Sequence, residues 1–290
     1  MKLDVFTVDA FTRRPFSGNP AAVIPMLQVS DEQTLQQVSA ELNLSETAYV
    51  TPAAGGTRPW QECGRFSLRW FTPTNEVPLC GHATLATAHV LFHCLGNTNA
   101  RLEFDTKSGV LVAKRDGTLI TLDFPANPPR PLDPAEEAQL AGLLKVASGG
   151  LPVSQVLLSR TSKKLLVRLH QSCSRQQLEA LQMDVGDLQR RHDGSLVKGV
   201  ILTLEGGQDE ADYHCYSRYF APWNGIPEDP VTGSAHTVLG PFWSEQLGRP
   251  SLKCRQVSPR GGDMTVTVRD DGRVDLTGEA TLVMQGHITL

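Results

Sequence analysis

The chain has 290 residues, a formal net charge of −4 and a hydrophobic fraction of 40%, values that are ordinary for a globular protein. This length predicts two domains, each large enough to bury its own core. The acidic balance argues against nucleic-acid binding, which needs a basic face. The most apolar stretch, 83–95, is too short to cross a bilayer, and no signal-peptide pattern opens the chain. We therefore expect a cytoplasmic protein without a membrane partner.

Six cysteines are scattered along the chain without a Cys-x-x-Cys pair. This spacing is unlike a zinc site, and a chain of this size does not need a disulfide framework. We expect reduced thiols and no structural metal.

The first half reads as strands and helices in alternation. Strand-like segments lie at 3–11, 21–27, 47–51 and 66–71, and a helix with a single apolar face precedes the third of them. A second helix, 82–95, is closed by Gly96. Three more strand-like segments follow at 101–104, 109–114 and 118–124, with an Asp-Gly turn at 116–117 that predicts a hairpin.

A proline-rich segment, 125–131, is predicted to break regular structure and to link an N-terminal half, 1–124, to a C-terminal half, 132–290. The second half repeats the order of the first, including a helix at 234–247 that is closed by Gly248. Pro241 lies inside that helix and is expected to bend or restart it. The last strand, 281–284, is a candidate for packing on the N-terminal half.

One eight-residue motif occurs twice. Segment 76–83 reads Glu-Val-Pro-Leu-Cys-Gly-His-Ala, and segment 228–235 reads Glu-Asp-Pro-Val-Thr-Gly-Ser-Ala, 152 positions later. An aromatic pair and a proline precede each copy. A repeat with a period of about half the chain predicts an internal duplication into two related halves.

Each copy of the motif begins a helix at a glycine, Gly81 or Gly233. A helix N-terminus offers unpaired N–H groups and the positive end of the helix dipole, and glycine permits close approach. If the halves face each other, both termini point into one cleft. We therefore predict that a small carboxylate binds between the halves.

These segments resemble the phenazine-biosynthesis-like (PhzF-like) family. The resemblance includes both motif copies, the segment 43–48 (Asn-Leu-Ser-Glu-Thr-Ala) and the opening segments 9–12 and 18–23, and it covers essentially the whole chain. It implies a diaminopimelate-epimerase-like α/β (α+β) fold with two pseudo-symmetric halves, each a curved sheet around a central helix. It also implies a homodimer and a cofactor-free isomerase in which one glutamate moves a proton on a small cyclic amino acid.

The resemblance assigns the proton transfer to Glu46, although the residues alone favour a solvated carboxylate or a local hydrogen-bond acceptor. A base of this kind works best with a pKa raised toward the working pH, which burial away from cations would supply. At a helix N-terminus His82 is expected to be a neutral ring. With the family in mind, we expect His82 and Asp229 to hold the reacting atoms. The substrate carboxylate is then expected at four further residues, Ser45, Gly81, Gly233 and Ser234.

Alternatives remain at this level. An epimerase or racemase could use Cys80, but the matching position in the second motif is Thr232, whose hydroxyl is too weak an acid for two-base exchange. His89 and His93, four residues apart, could suggest a metal, yet no acid-rich third ligand is nearby, so packing is favoured and no metal is expected. A protein that keeps the fold mainly to bind protein partners is the third possibility.

Overall fold

The computed structural model describes residues 2–28, 30–207 and 212–290. The backbone divides into two units, Met1–Phe124 with Leu276–Leu290, and Pro125–Asp275. None of the described helices combines the length with the apolar character that crossing a bilayer requires.

Strands outnumber helices among the described elements up to the unit boundary, and a π-helical turn at Val90–Cys94 directly follows α3. They are β1 (Lys2–Ala10), β2 (Asn19–Pro25), α1 (Glu32–Leu42), β3 (Glu46–Pro52), α2 (Pro59–Glu62), β4 (Arg65–Phe71), β5 (Glu76–Val77), α3 (Gly81–His89), β6 (Arg101–Thr106), β7 (Gly109–Asp116) and β8 (Leu119–Pro125).

Strands also outnumber helices among the remaining described elements. They are β9 (Arg130–Pro131), α4 (Pro134–Leu144), β10 (Val153–Ser159), β11 (Lys164–Leu169), α5 (Arg175–Ala180), α6 (Val185–Arg191), β12 (Gly199–Glu205), β13 (Cys215–Phe220), α7 (Gly233–Leu247), β14 (Ser251–Gln256), β15 (Gly262–Val268), β16 (Arg273–Gly278) and β17 (Ala280–Thr289).

Strand pairing shows that the two units are copies of one topology. In the first unit the order is β17-β1-β2-β3-β4-β6-β7-β8, and only β2–β3 and β4–β6 are parallel. In the second unit the order is β9-β10-β11-β12-β13-β14-β15, and only β11–β12 and β13–β14 are parallel. Counted from β1 in the first unit and from β10 in the second, antiparallel and parallel strand pairs therefore follow one another in the same order. The predicted internal duplication is confirmed.

Each unit packs its sheet on one buried helix. In α3, every residue from His82 to Ala88 is buried, and the helix lies against β1, β2, β3 and β17. Helix α7 is buried along most of its length and lies against β11, β14 and β15. A helix that is apolar and small on all sides belongs in a core, and both motif helices are of this kind. Their N-termini are Gly81 and Gly233, one residue earlier than predicted.

Helix α7 continues through Pro241 without a break, so the expectation that the helix restarts there is wrong. Pro241 has no N–H, so the carbonyl of Thr237, four residues earlier, lacks its usual helical partner. The backbone N–H of Asn127 donates to that carbonyl at 2.9 Å, and the Asn127 side chain donates to the Thr237 hydroxyl at 2.9 Å. The helix continues to Leu247 because the segment after β8 replaces the missing bond.

That segment is less irregular than predicted. Residues 126–129 have no regular structure, but Arg130–Pro131 forms a short strand that pairs with β10. The 116–117 turn does join a hairpin, β7 to β8, with Gly117 at a φ of +59°.

Candidate active site

In the first unit Glu46 is the first residue of β3, so its carboxylate lies at the end of a strand. Helix α1 ends at Asn43, which adopts a left-handed φ of 49° and donates its N–H to the Ser39 carbonyl. Asparagine is one of the few residues that tolerates this conformation. The chain then turns into β3, where Glu46 pairs in register with Ala21 of β2.

Around Glu46 the fold gathers a polar cluster of the half-buried Ser45 and the buried Glu46, Cys80 and His82. The His82 Nε2 lies 3.1 Å from a Glu46 carboxylate oxygen and 3.2 Å from the Ser45 hydroxyl, which itself donates to the Pro20 carbonyl at 2.9 Å. Because the hydroxyl proton is used there, His82 Nε2 is the donor to Ser45. On the other side of the ring, His82 Nδ1 lies 3.5 Å from Cys80 Sγ. Glu46, Cys80 and His82 are each only 7% exposed.

The electrostatics of this cluster differ from both sequence-based expectations. Burial disfavours the charged imidazole, but Cys80 and Glu46 on either side of the ring raise the pKa of His82 well above its usual 6.5. Burial likewise disfavours the Glu46 carboxylate, yet the charge of His82 outweighs it, and the pKa of Glu46 lies below 4.5. The expected neutral His82 and the expected raised pKa of Glu46 are therefore wrong. The attraction between the two opposite charges outweighs the cost of burying them, and it also outweighs the unfavourable effect of the helix N-terminus on the His82 imidazolium.

At neutral pH the pair is thus an imidazolium beside a carboxylate. Burial and the Glu46 charge raise the pKa of Cys80, so this side chain is a neutral thiol and the charge that keeps His82 protonated is that of Glu46. The Glu46 Oε2 atom is the one that lies 3.1 Å from His82 Nε2, so the ring holds the carboxylate in place. A buried ionised carboxylate is able to accept a proton from a bound molecule.

Glu46, Cys80 and His82 also bring three possible metal-ligating atoms within 4.8 Å of one another. The two His82 nitrogens face different partners, and an imidazolium has no free lone pair for a metal. As arranged, the cluster suits proton chemistry better than metal binding. The His89 and His93 rings lie 4.9 Å apart, and burial lowers the pKa of His89 to about 4, as for packed side chains.

The second unit builds a different cluster before α7. The Thr232 hydroxyl donates to the Asp229 carboxylate at 2.5 Å, and the Gln256 side chain accepts from the Thr232 N–H and donates to the Asp229 carbonyl. Asp229 is 8% exposed. Ser234, by contrast, is exposed on the first turn of α7.

The glutamate that opens each motif copy has a structural role that the sequence did not reveal. Glu76 accepts two bonds from Arg69, both at 2.8 Å, and Glu228 accepts two from Arg218, both at 2.7 Å. Each pair ties the loop before a motif helix to the preceding strand, β4 or β13. A two-bond arginine–carboxylate contact fixes orientation as well as distance.

The predicted site residues accordingly fall into two groups. Ser45, Glu46 and His82 are brought together in the first unit, with Gly81 beginning α3. Asp229, Gly233 and Ser234 lie at the start of α7 in the second. Sequence reasoning assigned no role to three buried polar side chains. Lys164 and Gln256 lie outside the motifs, and Tyr219 belongs to the aromatic pair before the second motif.

Comparison with known proteins assigns the chain to a family. The model of the phenazine biosynthesis-like protein family matches residues 8–286. The chain is 48% identical over 292 residues to the phenazine biosynthesis-like domain-containing protein of Bos taurus, and 41% identical over 290 residues to an uncharacterized isomerase of Pseudomonas aeruginosa. Both alignments cover 100% of each chain.

Solved structures agree. A phenazine biosynthesis protein of the PhzF family from Enterococcus faecalis has a TM-score of 0.84 and 35% identity, with 100% of each chain covered. A hydroxyproline epimerase from Agrobacterium vitis shares the fold, with a TM-score of 0.55 at 13% identity over 100% of this chain and 93% of the other. The chain has the diaminopimelate-epimerase-like α/β fold and belongs to the phenazine biosynthesis-like (PhzF) family, among whose members are proteins named as isomerases.

Proposed function

We propose that the protein is a cofactor-independent isomerase in which Glu46 alone moves a proton on a small cyclic amino-acid-like carboxylate. The observation that carries this proposal is the buried Glu46–His82 pair, in which His82 Nε2 lies 3.1 Å from a Glu46 carboxylate oxygen. The lowered pKa of Glu46 makes it a base and not an acid when substrate arrives.

In this mechanism, the Glu46 carboxylate takes a proton from a carbon of the ring and becomes a carboxylic acid. The electron pair left on carbon spreads into the adjacent unsaturated system. The proton on the Glu46 carboxylic acid exchanges with solvent, and Glu46 then delivers a proton to a different carbon, so the substrate is isomerised with no net gain or loss of a proton. The charge that develops on the substrate lies close to the His82 imidazolium and the N-terminus of α3, both of which stabilise negative charge.

A second candidate is an epimerase that uses Cys80. The specific observation in its favour is the 3.5 Å approach of Cys80 Sγ to His82 Nδ1, the arrangement by which an imidazole activates a thiol. Against it, burial raises the Cys80 pKa, so the reactive thiolate is disfavoured. The equivalent side chain in the second motif, Thr232, already donates its proton to Asp229.

The test compares Glu46→Gln, Cys80→Ala and the control Glu41→Gln, which removes an exposed carboxylate from α1. Each protein is incubated in D₂O with unsaturated six-membered-ring amino acids, L-proline and trans-4-hydroxy-L-proline, and deuterium incorporation at carbon is followed by NMR. We expect the unaltered protein to exchange deuterium into a ring substrate. The exchange rate should fall by a factor of about 10²–10⁴ in Glu46→Gln and should stay within a few-fold in Cys80→Ala and Glu41→Gln.

Two results would reject the proposal. Exchange by folded Glu46→Gln within a few-fold of the unaltered protein would remove Glu46 from the chemistry. Complete loss in Cys80→Ala, with inversion at the proline α-carbon by the unaltered protein, would instead establish the epimerase. Circular dichroism of each variant verifies that the fold is retained.

A further inference from the structure

The loop between β1 and β2, residues 11–18, holds two phenylalanines in the left-handed backbone region. Phe11 has a φ of 62° and Phe16 has a φ of 67°. In this region the Cβ atom of an L-residue crowds the following carbonyl oxygen, so a bulky residue adopts it only where the surrounding structure imposes it. Strained positions of this kind concentrate at sites that hold a ligand, and each of the two phenylalanines therefore needs a physical explanation.

Packing explains the strain at Phe11. Its ring is fully buried, and a Cβ atom on Gly278 would lie 2.6 Å from the Phe11 Cδ1 atom, so the ring occupies the space that this glycine leaves. Phe16 has no such compensation. It is 76% exposed, more than any other large apolar side chain among the described residues. Glycine would adopt the same backbone without strain, so the phenyl ring at position 16 does not serve the fold.

The backbone that carries the Phe16 ring is held in place. The Phe16 N–H donates to the Asp9 carboxylate at 2.7 Å, and Asp9 is only 2% exposed. Two residues later Gly18 runs against β1, since a Cβ atom there would lie 2.2 Å from the Ala10 carbonyl oxygen. A contact made from a preorganised backbone costs less entropy than one made from a mobile loop. The loop is therefore suited to present the Phe16 ring to a ligand.

The same loop leads directly to the polar cluster around Glu46, within the same unit. Asn19 begins β2, and its carboxamide oxygen lies 3.4 Å from the Ser45 hydroxyl, which donates to the Pro20 carbonyl at 2.9 Å. The three residues from Phe16 to Asn19 span at most about 10 Å. The Phe16 backbone is therefore close to the residues that contact Ser45, the neighbour of Glu46 in the chain.

A cyclic substrate has an apolar face that the polar cluster does not match. Ser45, Glu46 and His82 supply hydrogen bonds and charge, whereas a ring packs favourably on an aromatic side chain and is shielded from water by it. We propose that Phe16 is a specificity-determining residue whose phenyl ring packs on the ring of the substrate bound at Glu46. The inference rests on the proposed function only for the kind of ligand, a ring that carries a carboxylate.

Calorimetry with benzoate and with acetate tests the contact. The two ligands carry the same carboxylate, and only benzoate has a ring. Binding of each is measured for the unaltered protein, Phe16→Ala, Phe16→Gly and the control Leu27→Ala. Leu27 is 66% exposed in the same unit, lies outside the loop and has no left-handed φ.

We expect the unaltered protein to bind benzoate more tightly than acetate. Phe16→Ala should bind benzoate about tenfold more weakly, a change that corresponds to about 1.4 kcal/mol and is of the size that an aromatic pair contributes. Its acetate affinity should be unchanged, and Leu27→Ala should bind both ligands normally. A purely structural role for Phe16 would weaken the binding of both ligands together.

Phe16→Gly separates the backbone strain from the contact. Glycine adopts a φ of 67° freely, so the urea midpoint of Phe16→Gly should exceed that of Phe16→Ala, the reverse of the usual order of these two residues. Its benzoate affinity should nevertheless be as low as that of Phe16→Ala, because both variants lack the ring.

Three binding outcomes overturn the inference: equal benzoate affinity of Phe16→Ala and the unaltered protein, a parallel loss of benzoate and acetate binding, or no preference of the unaltered protein for benzoate. Dissociation of a dimer in Phe16→Ala, measured by sedimentation, would also overturn it, because the ring would then serve a subunit contact.

If Phe16→Ala does not fold, NMR of the aromatic ring protons in the unaltered protein decides the question. Benzoate should shift the Phe16 signals, which are assigned by their absence in Phe16→Leu, and unshifted signals reject the contact. Benzoate binding requires no proton transfer, whereas the test of Glu46→Gln measures deuterium exchange. The two proposals can therefore fail independently.

Discussion

Replacing Arg218 by methionine should be among the most destabilising single changes outside the apolar core. Arg218 is 4% exposed, binds Glu228 through two bonds of 2.7 Å, and donates to the carbonyls of Leu178 and Leu181 at 3.0 and 2.5 Å. Methionine fills similar volume, so the loss is mainly electrostatic. Removing one partner of a buried pair costs about 3–5 kcal/mol, and a carbonyl left without a donor about 1–3 kcal/mol.

Partial exposure reduces this sum. The Glu228 side chain is 19% exposed, so water reaches the abandoned carboxylate, and we expect a loss of about 3 kcal/mol in the free energy of unfolding. The matched variant is Arg69→Met in the first unit. Arg69 is 23% exposed, and its partner Glu76 also contacts Lys107, so a loss of about 1 kcal/mol is expected.

Urea unfolding followed by tryptophan fluorescence and circular dichroism measures both losses, and equal slopes verify that the same transition is compared. The double variant Arg218→Met with Glu228→Gln should regain part of the stability, because no carboxylate charge remains unpaired. A loss below about 1 kcal/mol in Arg218→Met, or strictly additive losses in the double variant, would show that the pair is not electrostatically buried as we reason.

Two further predictions concern pH and the α7 proline. The folded pKa of His82 is raised, so the stability that the charged ring contributes is complete below pH 6.5 and is lost as pH rises through the raised value. The folded pKa of Glu46 is lowered, so the stability that its carboxylate contributes is present above pH 4.5 and is lost as pH falls through the lowered value. His82→Gln should therefore flatten the dependence of the urea midpoint on pH, and an unchanged profile would contradict the ion pair. Pro241→Ala should change stability by less than about 1 kcal/mol, because Asn127 already bonds the Thr237 carbonyl; a gain near about 3 kcal/mol in thermal or urea unfolding would refute this.

Local patterns in the sequence were sufficient to predict the architecture. The repeat 152 positions apart predicted two related units, and its glycines predicted the starts of α3 and α7 to within one residue. These features depend on neighbouring residues: a chain turn, a run of small apolar side chains, and a terminating glycine. The family resemblance likewise drew on contiguous segments, including the one that contains Glu46.

Tertiary structure decided the electrostatics. Glu46 and His82 are 36 positions apart, and only the packing of α3 against β3 brings them within 3.1 Å and reverses the expected pKa of each. Lys164 has no sequence signal at all, because its ammonium is buried beside the Tyr219 ring, 5.7 Å from the ring centre. A charge is governed by the distances and burial of its neighbours in space, and these are set by strand register and helix packing, not by adjacency along the chain.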